Sequence, residues 1–389
     1  MNFIKKIQLC LFLIILITPF LLGLFSVSAG LKLGGETKQE KEIRLAVDTL
    51  RSGAYQRRFE KRFMRRLAIW PYLVKTDNQI NFSIFRQIST NYRANVILGK
   101  DNNLIEKAYL RSLSKVAVPK LKRLEERISK MRELQDRLSA HGVAFLFLIS
   151  PNKPSLYPEY VPKQYQIAGA ETREGAYQKM LPLLDKYGIN YLDGQAFFAA
   201  KKAAAKYPFF AHSGTHWNEY AACLISRELR NRISELVAKP MRDFSCEPVV
   251  MRKVPVEADR DLVNLINIWT PELTYRKSPR PIHKTIPAES QARINMLFVG
   301  TSFTWPVLRY LDYHRIYNKR NFYYYFKRNE SFPKLSSQAI NKNQLNWKKA
   351  VLSRDAVIIE VNEAFVQKAG YGFINEALKQ IPAGFPAKE

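Results

Sequence analysis

The chain has 389 residues, 47% of them hydrophobic, which suits one large or two medium domains with proper cores and excludes a wholly disordered protein. Its 62 Lys and Arg against 34 Asp and Glu leave a net charge of +28, enough to draw polyanions or an anionic membrane face. Nucleic acid, acidic polysaccharide and lipid headgroups are the partners that charge leaves open, and the N-terminus narrows them.

That N-terminus, MNFIKKIQLCLFLIILITPFLLGLFSVSAG, sets Lys5 and Lys6 ahead of an apolar run from Ile7 to Phe25, the pattern of an export signal. Two outcomes stay open: cleavage near the small residues Ser26 to Ala29, or retention as an anchor, since about 19 residues is near the length a bilayer asks of a helix. Either way the positive flank leaves the rest outside the cytoplasm, which argues against DNA or RNA. Cys10 lies in this segment. Cys223 and Cys246 remain, able to bridge in an oxidising compartment or to sit as two buried thiols.

Next comes a charged stretch, with RRFEKRFMRR at 57–66 reading as an amphipathic helix with one basic face, solvated or turned to an anionic partner. A stronger helix follows Pro119: Leu121, Leu124, Ile128, Met131, Leu134 and Leu138 recur at steps of three and four, and the pattern stops at His141-Gly142. VAFLFLI at 143–149 is then a short, continuous apolar run, as expected of a strand buried on both faces. The alternation continues with a helix over 174–188, a strand at 189–193, a helix in GQAFFAAKKAAAKY and another near 218–238. INMLFVG (294–300) and DAVIIEV (355–361) are two more buried strands, each followed by helical spacing. This predicts an α/β fold with a mostly parallel sheet flanked by helices. The expected division is residues 1–29 as signal peptide or anchor, 30–99 as a charged helical lead and 100–389 as the main domain. The Pro-, Arg- and Lys-rich intervals 240–290 and 327–347 read as surface loops.

In open parallel sheets reactive groups gather where strands end at their carboxyl edge. FVGTSFTWPVL (298–308) puts Ser302 two residues past Gly300 at such a strand end, where the hydroxyl can project and nearby amides can face an oxyanion. SGTHWNEYAA (213–222) puts His216 just ahead of a helix. Alone, the serine suits a helix N-cap and the histidine a structural hydrogen bond. As a pair they make mechanistic sense, because a serine hydroxyl needs a general base within hydrogen-bond reach. His141, His212, His283 and His314 lack that placement. No His, Cys, Asp and Glu cluster has metal-ligand spacing, so neither metal nor cofactor is expected.

GTHW followed later by GTSF resembles the AlgX/AlgJ family of polysaccharide O-acetyltransferases. VILGKDNNLIEKAYL (96–110) is similar to that family's Gly-Lys-Asp segment, and SPNKPSLYPEYVP (150–162) to its Pro-x-Lys…Tyr-Pro-Glu stretch. The resemblance implies an SGNH-hydrolase-like (flavodoxin-like) sheet, Ser302 as nucleophile and His216 as base. It also implies a periplasmic site, a membrane-bound O-acyltransferase that passes acetyl groups outward, and a polysaccharide acceptor. The chain after Ser302 suffices to finish the sheet, so the AlgJ branch, without the carbohydrate-binding module of the AlgX branch, is the better match.

One departure matters. The family writes Asp-Thr-His-Trp, whereas Gly214 stands two residues before His216 here, and glycine cannot orient an imidazole. In a serine-protease triad, neutralising that Asp lowers turnover by about 10⁴-fold. Either another acid reaches His216 or the chemistry is gone. Asp259 and Asp261 in EADRDLVNL, Glu360 and Glu363 are the candidates, and Asp261 ranks first because Asp261-Leu262 resembles a family Asp-Leu pair. Trp217 and Trp305 flank the motifs as walls for a sugar ring or as core. Asn362 is the candidate second oxyanion donor beside the Ser302 amide. The expected activity is acetylation of an exopolysaccharide, possible acidity of the polymer being suggested by the charge. A carbohydrate esterase and a non-catalytic scaffold are the alternatives.

Overall fold

The computed structural model describes residues 3–24, 30–35, 45–67, 69–89, 95–115, 118–170, 172–286 and 291–383. The small-residue stretch at 26–29, where cleavage is expected, lies outside them. Two compact units emerge, one of Met1–Leu98 with Val263–Leu273, the other of Gly99–Leu262 with Thr274–Glu389.

The first unit is helical, with helices over Phe3–Leu24, Ala54–Arg66 and Trp70–Ser83. Among the described residues no helix is long and apolar enough to cross a membrane. The side chains ending the N-terminal apolar run are not among them, so the anchor expectation gains no support from the fold. In Ala54–Arg66 the i, i+4 spacing stacks Tyr55, Phe59 and Phe63 on one face, with centroids 6.2 and 6.3 Å apart. Val263–Leu273, which the sequence reading assigns to the main domain, is held in this unit by Trp70–Ser83. Asn78 Nδ2 donates to the Ile266 carbonyl (2.8 Å), and Gln79 Oε1 accepts the Trp269 and Thr270 amides.

The second unit is a seven-stranded sheet flanked by helices. Its strands are β1 (Ala144–Ser150), β2 (Tyr191–Asp193), β3 (Ile294–Gly300), β4 (Tyr317–Tyr324), β5 (Arg328–Phe332), β6 (Ser336–Ala339) and β7 (Ala356–Asn362). They lie in the order β6-β5-β4-β3-β7-β1-β2. β4, β3, β7, β1 and β2 run parallel, while β5 and β6 add an antiparallel edge. The helices are α1 (Leu121–Ala140), α2 (Ala176–Lys186), α3 (Gly194–Lys202), α4 (Glu219–Leu236), α5 (Thr304–Tyr313) and α6 (Phe373–Gln380).

Because side chains alternate along a strand, each central strand feeds two cores. Leu146, Leu148, Met296, Phe298 and Ile358 pack on the side of α4 and α5. Phe145, Phe147, Leu297, Val299, Val357 and Ile359 pack on the side of α1, α2 and α6. The intervals read as loops are partly built: 327–347 contributes β5 and β6. Within 240–290, Asp243–Ser245 pairs with Lys284–Ile286 and Val249–Arg252 with Ser278–Pro281. A disulfide joins Cys223 of α4 to Cys246.

Candidate active site

Ser302 stands at the carboxyl edge of the sheet, in the turn between β3 and α5. A buried acid shapes that turn. Glu360, inside β7, accepts from the Thr301 amide (2.7 Å), the Thr301 hydroxyl (2.8 Å) and the Thr304 hydroxyl (3.1 Å) through Oε2, and from Ser150 Oγ (2.5 Å) through Oε1. Burial raises its pKa, and these four donors pull the other way. Gly300 is glycine for space: a Cβ there would lie 2.6 Å from Thr304 Oγ1 and 2.8 Å from Glu360 Oε2. The Phe303 amide donates to Thr301 Oγ1, and the Thr304 and Trp305 amides donate to the Thr301 and Ser302 carbonyls. Among the described residues the Ser302 amide has no such partner, which leaves it available to an oxyanion.

His216 Nε2 lies 2.8 Å from Ser302 Oγ. The ring is held on both sides of this contact: it lies against the tilted ring of Phe303 (centroids 4.7 Å apart, 57°) and Nδ1 meets Asp261 Oδ2. Facing a carboxylate, Nδ1 carries the proton, which leaves Nε2 to accept from Ser302. The loop before α4 is locked locally, with Asn218 capping α4 at the Ala221 amide (2.9 Å) and donating to the Pro208 carbonyl (2.6 Å).

Asp261 reaches His216 because Gly214 makes way. A Cβ at 214 would collide with the Ala258 carbonyl oxygen and come within 3.0 Å of Asp259 Cα, so the backbone of the Glu257–Arg260 turn fills the place a side chain at 214 would take. That turn is pinned to the histidine loop: Ser213 Oγ donates to the Asp259 carbonyl (2.7 Å), the Leu262 amide to the Ser213 carbonyl (3.2 Å), and the Thr215 amide to Asp261 Oδ1 (2.8 Å). The acid arrives from across the loop instead of from two residues upstream.

The other candidate acids are elsewhere. Asp259 turns its carboxyl to the Ser278 hydroxyl, and burial pushes its pKa up to about 7. Glu360 supports the nucleophile turn. Glu363 accepts the Asn152 amide (2.8 Å), and burial pushes its pKa up to about 8.

Trp217 does not present a face to a sugar. It is fully buried, edge-on to Phe303 at 5.5 Å, because its strand-like partner Phe210 and Phe198 turn it into the core. Trp305 is half-buried against Phe322 (4.8 Å) and Tyr324 on β4. Asn362 is also spent on structure: its amide nitrogen donates to the Pro151 carbonyl (2.9 Å) and its oxygen accepts the Ala364 amide (3.0 Å), capping the segment after β7. The oxyanion role expected of it finds no support in that geometry.

Three residues near the site have no role assigned from the sequence. Glu106, half-buried, accepts from Thr215 Oγ1 (3.4 Å); burial raises its pKa, the nearby His216 lowers it and Asp261 raises it. Lys153, the Lys of SPNKP, is fully buried and donates to the Leu104 (2.9 Å) and His212 (3.1 Å) carbonyls, tying the segment before the histidine loop to the end of β1. Burial pushes its pKa down to about 7, against the pull of Asp261 and Asp259. Tyr325, at the turn after β4, donates its amide to the Gly300 carbonyl (2.8 Å), and burial pushes its pKa up to about 12. The SPNKP motif marked Lys153 without a role, and nothing in the run FYYYFK marks one tyrosine over its neighbours.

Residues 96–311, more than half of the chain, match the family model described as SGNH hydrolase-like domain, acetyltransferase AlgX. The chain belongs to this family. Ser302, His216 and Asp261 all fall within the matched span, and the sheet with its flanking helices is the family's SGNH-like fold. A curated relative, the probable alginate O-acetylase AlgJ of Pseudomonas aeruginosa, is 25% identical over 154 residues, covering 39% of this chain and 37% of that protein. Among solved structures, the O-acetyltransferase domain of Pseudomonas putida AlgJ is 18% identical with a TM-score of 0.46, over 71% of this chain and 93% of that one. Pseudomonas aeruginosa AlgX is 12% identical with a TM-score of 0.44, over 73% and 67%.

Proposed function

We propose that this protein is a periplasmic O-acetyltransferase that acetylates hydroxyls of an exopolysaccharide through an acetyl-Ser302 intermediate. The observation that carries the proposal is the continuous chain Ser302–His216–Asp261 at the carboxyl edge of the sheet. His216 Nε2 takes the Ser302 proton as Oγ attacks the donor's carbonyl carbon. The carbonyl pair moves onto oxygen, and collapse expels the leaving group with the proton that His216 returns. A sugar hydroxyl then gives its proton to His216, attacks the acetyl-serine carbon and leaves as the acetyl ester, restoring Ser302.

Membership of the AlgX family supports acetyl transfer, with a membrane-bound O-acyltransferase as the donor and a polysaccharide as the acceptor. The Lys-flanked apolar N-terminus supports export, and the Cys223–Cys246 bridge supports an oxidising compartment. We read residues 1–29 as the export segment, 30–99 as a lead and 100–389 as the transferase domain. Gly214, which favoured a scaffold without chemistry, loses that force because Asp261 stands at the imidazole.

The test gives the full chain an activated acetyl ester and follows intact mass. A single acetyl adduct that Ser302→Ala abolishes is the expected result; no adduct, or an equal one in Ser302→Ala, ends the covalent proposal. Transfer to oligosaccharide is then compared with release to water, and free acetate in excess whatever the acceptor makes the protein an esterase.

A further inference from the structure

Four acidic side chains gather behind the histidine loop. Glu257, Asp259 and Asp261 come from the Glu257–Arg260 turn and its exit, and Glu219 is the first residue of α4. Asp259 and Glu219 are buried. Burial, and then the nearness of Glu219 and Asp261, pushes the Asp259 pKa up. One guanidinium from α5 reaches into this cluster: Arg309 Nη1 pairs with Glu219 Oε1, and Arg309 Nη2 pairs with Glu257 Oε2. The Tyr310 hydroxyl donates to the other Glu219 oxygen (3.1 Å). The turn's own cation, Arg260, lies instead over the ring of Tyr275 (5.7 Å).

Arg309 therefore touches an element belonging to each member of the triad. It sits on α5, the helix that Ser302 leads into; Glu219 opens α4, which follows His216; and Glu257 opens the turn that ends at Asp261. The two helices have further ties, since they share a core and Ser226 Oγ donates to the Val307 carbonyl (3.3 Å). The pair with Glu257 is what ties the turn to α5. Glu257 has a φ of 47°, in the left-handed region where a side chain is strained. Such a conformation persists where its surroundings over-determine it. With the Arg309 and Glu257 side chains 40% and 60% exposed, their ion pair contributes little to stability. Its consequence is geometric, because the planar guanidinium fork fixes two carboxylates relative to each other.

We propose that Arg309 is a positioning residue for the reaction: it clamps the Glu257–Arg260 turn to α5 and so holds Asp261 at His216 Nδ1. The inference rests on the acetyl-Ser302 reading and deepens it. An acid two residues before the base, as in Asp-Thr-His-Trp, shares the loop of the histidine and moves with it. Asp261 stands on a separate turn, so its register with the imidazole depends on what fixes that turn. Ser213 and Thr215 tie the turn to the histidine loop, and Arg309 ties it to the helix of the nucleophile. Base, acid and nucleophile are thereby held in one frame.

The experiment measures single-turnover acetylation of Ser302 in the full chain by 4-nitrophenyl acetate, for Arg309→Met and Glu257→Ala, each alone and combined with Asp261→Asn. Each single variant is expected to slow acetylation on the order of 10- to 10²-fold, as for a small misplacement of a group in the reacting chain. In the Asp261→Asn background neither should slow it further, because the clamp acts through that carboxylate; a merely structural role would slow both backgrounds alike. The proton on His216 Nδ1 gives a reading independent of turnover: its downfield magnetic resonance should move upfield in both single variants as the bond to Asp261 loosens. Where Arg309→Met does not fold, Glu257→Ala, at an exposed position, decides by the same readings. Wild-type rates in the single variants, equal losses in the two backgrounds, or an unmoved Nδ1 resonance overturn the proposal. A wild type that forms no adduct overturns the acetyl-serine reading instead, while the resonance still tests the clamp, so the two failures are distinct.

Discussion

At the residue scale the decisive feature is the exchange of one carboxylate for another. The sequence showed that Gly214 leaves His216 without its usual neighbour, and the ranking of Asp261 rested on a short Asp-Leu resemblance. What one-dimensional text cannot show is that the Ala258 carbonyl occupies the room a side chain at 214 would need. Asp261→Asn should lower acetylation by on the order of 10²- to 10⁴-fold, since an amide cannot hold the tautomer that leaves Nε2 free. Gly214→Asp added to Asp261→Asn should not restore the rate, because the new side chain must displace the Glu257–Arg260 turn; single-turnover kinetics of the double variant checks this, and recovery would show the turn to be yielding. Asp259, one residue pair away, has a different consequence. Its folded pKa of about 7 lies above the value near 3.9 of an exposed Asp, so the folded chain binds the extra proton between these limits. Its contribution to stability is complete below about pH 4 and is lost as pH rises through about 7. Asp259→Asn should flatten that fall, seen as a melting temperature that varies less from pH 4 to 7 than in the wild type; equal slopes would mean that Asp259 is not the group responsible.

At the element scale, legibility followed burial. β1, β3 and β7 sit within a residue of their predicted bounds because both faces of each are buried, and a continuous apolar run is all that such a strand needs. β4 escaped because its middle reads as polar: Asn318 and Lys319 face solvent, and Arg320 is buried with paired bonds to Asp312 (3.1 and 2.7 Å) and a third to the Glu330 carbonyl (3.1 Å). The edge strands β5 and β6 have a solvent face and no apolar run, so they read as loop, and with them went any chance of seeing the Tyr325 turn. α4, which follows His216, is stapled to the Cys246 segment by a bridge that closes a sequence separation of 23. Loop closure on that scale stabilises by about 3 kcal/mol. Cys223→Ala with Cys246→Ala should therefore lower the denaturant midpoint while leaving the acetylation rate of the folded protein unchanged; an unaltered midpoint would show that the bridge contributes little.

At the scale of the whole molecule, three groups far apart in the chain converge, Ser302 from the carboxyl end of β3, His216 from the loop before α4 and Asp261 from just after the Glu257–Arg260 turn, and the chain's net charge of +28 sets up a field that attracts polyanions. If the acceptor is an acidic polymer, that field should raise its local concentration without entering the chemistry. Salt separates the two effects. The screening length shortens from about 10 Å at 0.1 M to about 3 Å at 1 M, so attraction between a polymer and a dispersed basic surface fades, whereas the His216–Ser302 contact at 2.8 Å does not depend on it. Transfer to an acidic oligosaccharide should lose kcat/KM steeply as salt rises, mainly through KM, while acetylation of Ser302 by a neutral ester changes little. The same acceptor with its carboxylates esterified supplies the control, and its kcat/KM should be nearly flat with salt. Parallel losses for the acidic and esterified acceptors would show that the charge does not act on the polymer, and would point to an anionic membrane face as the partner that the basic surface serves.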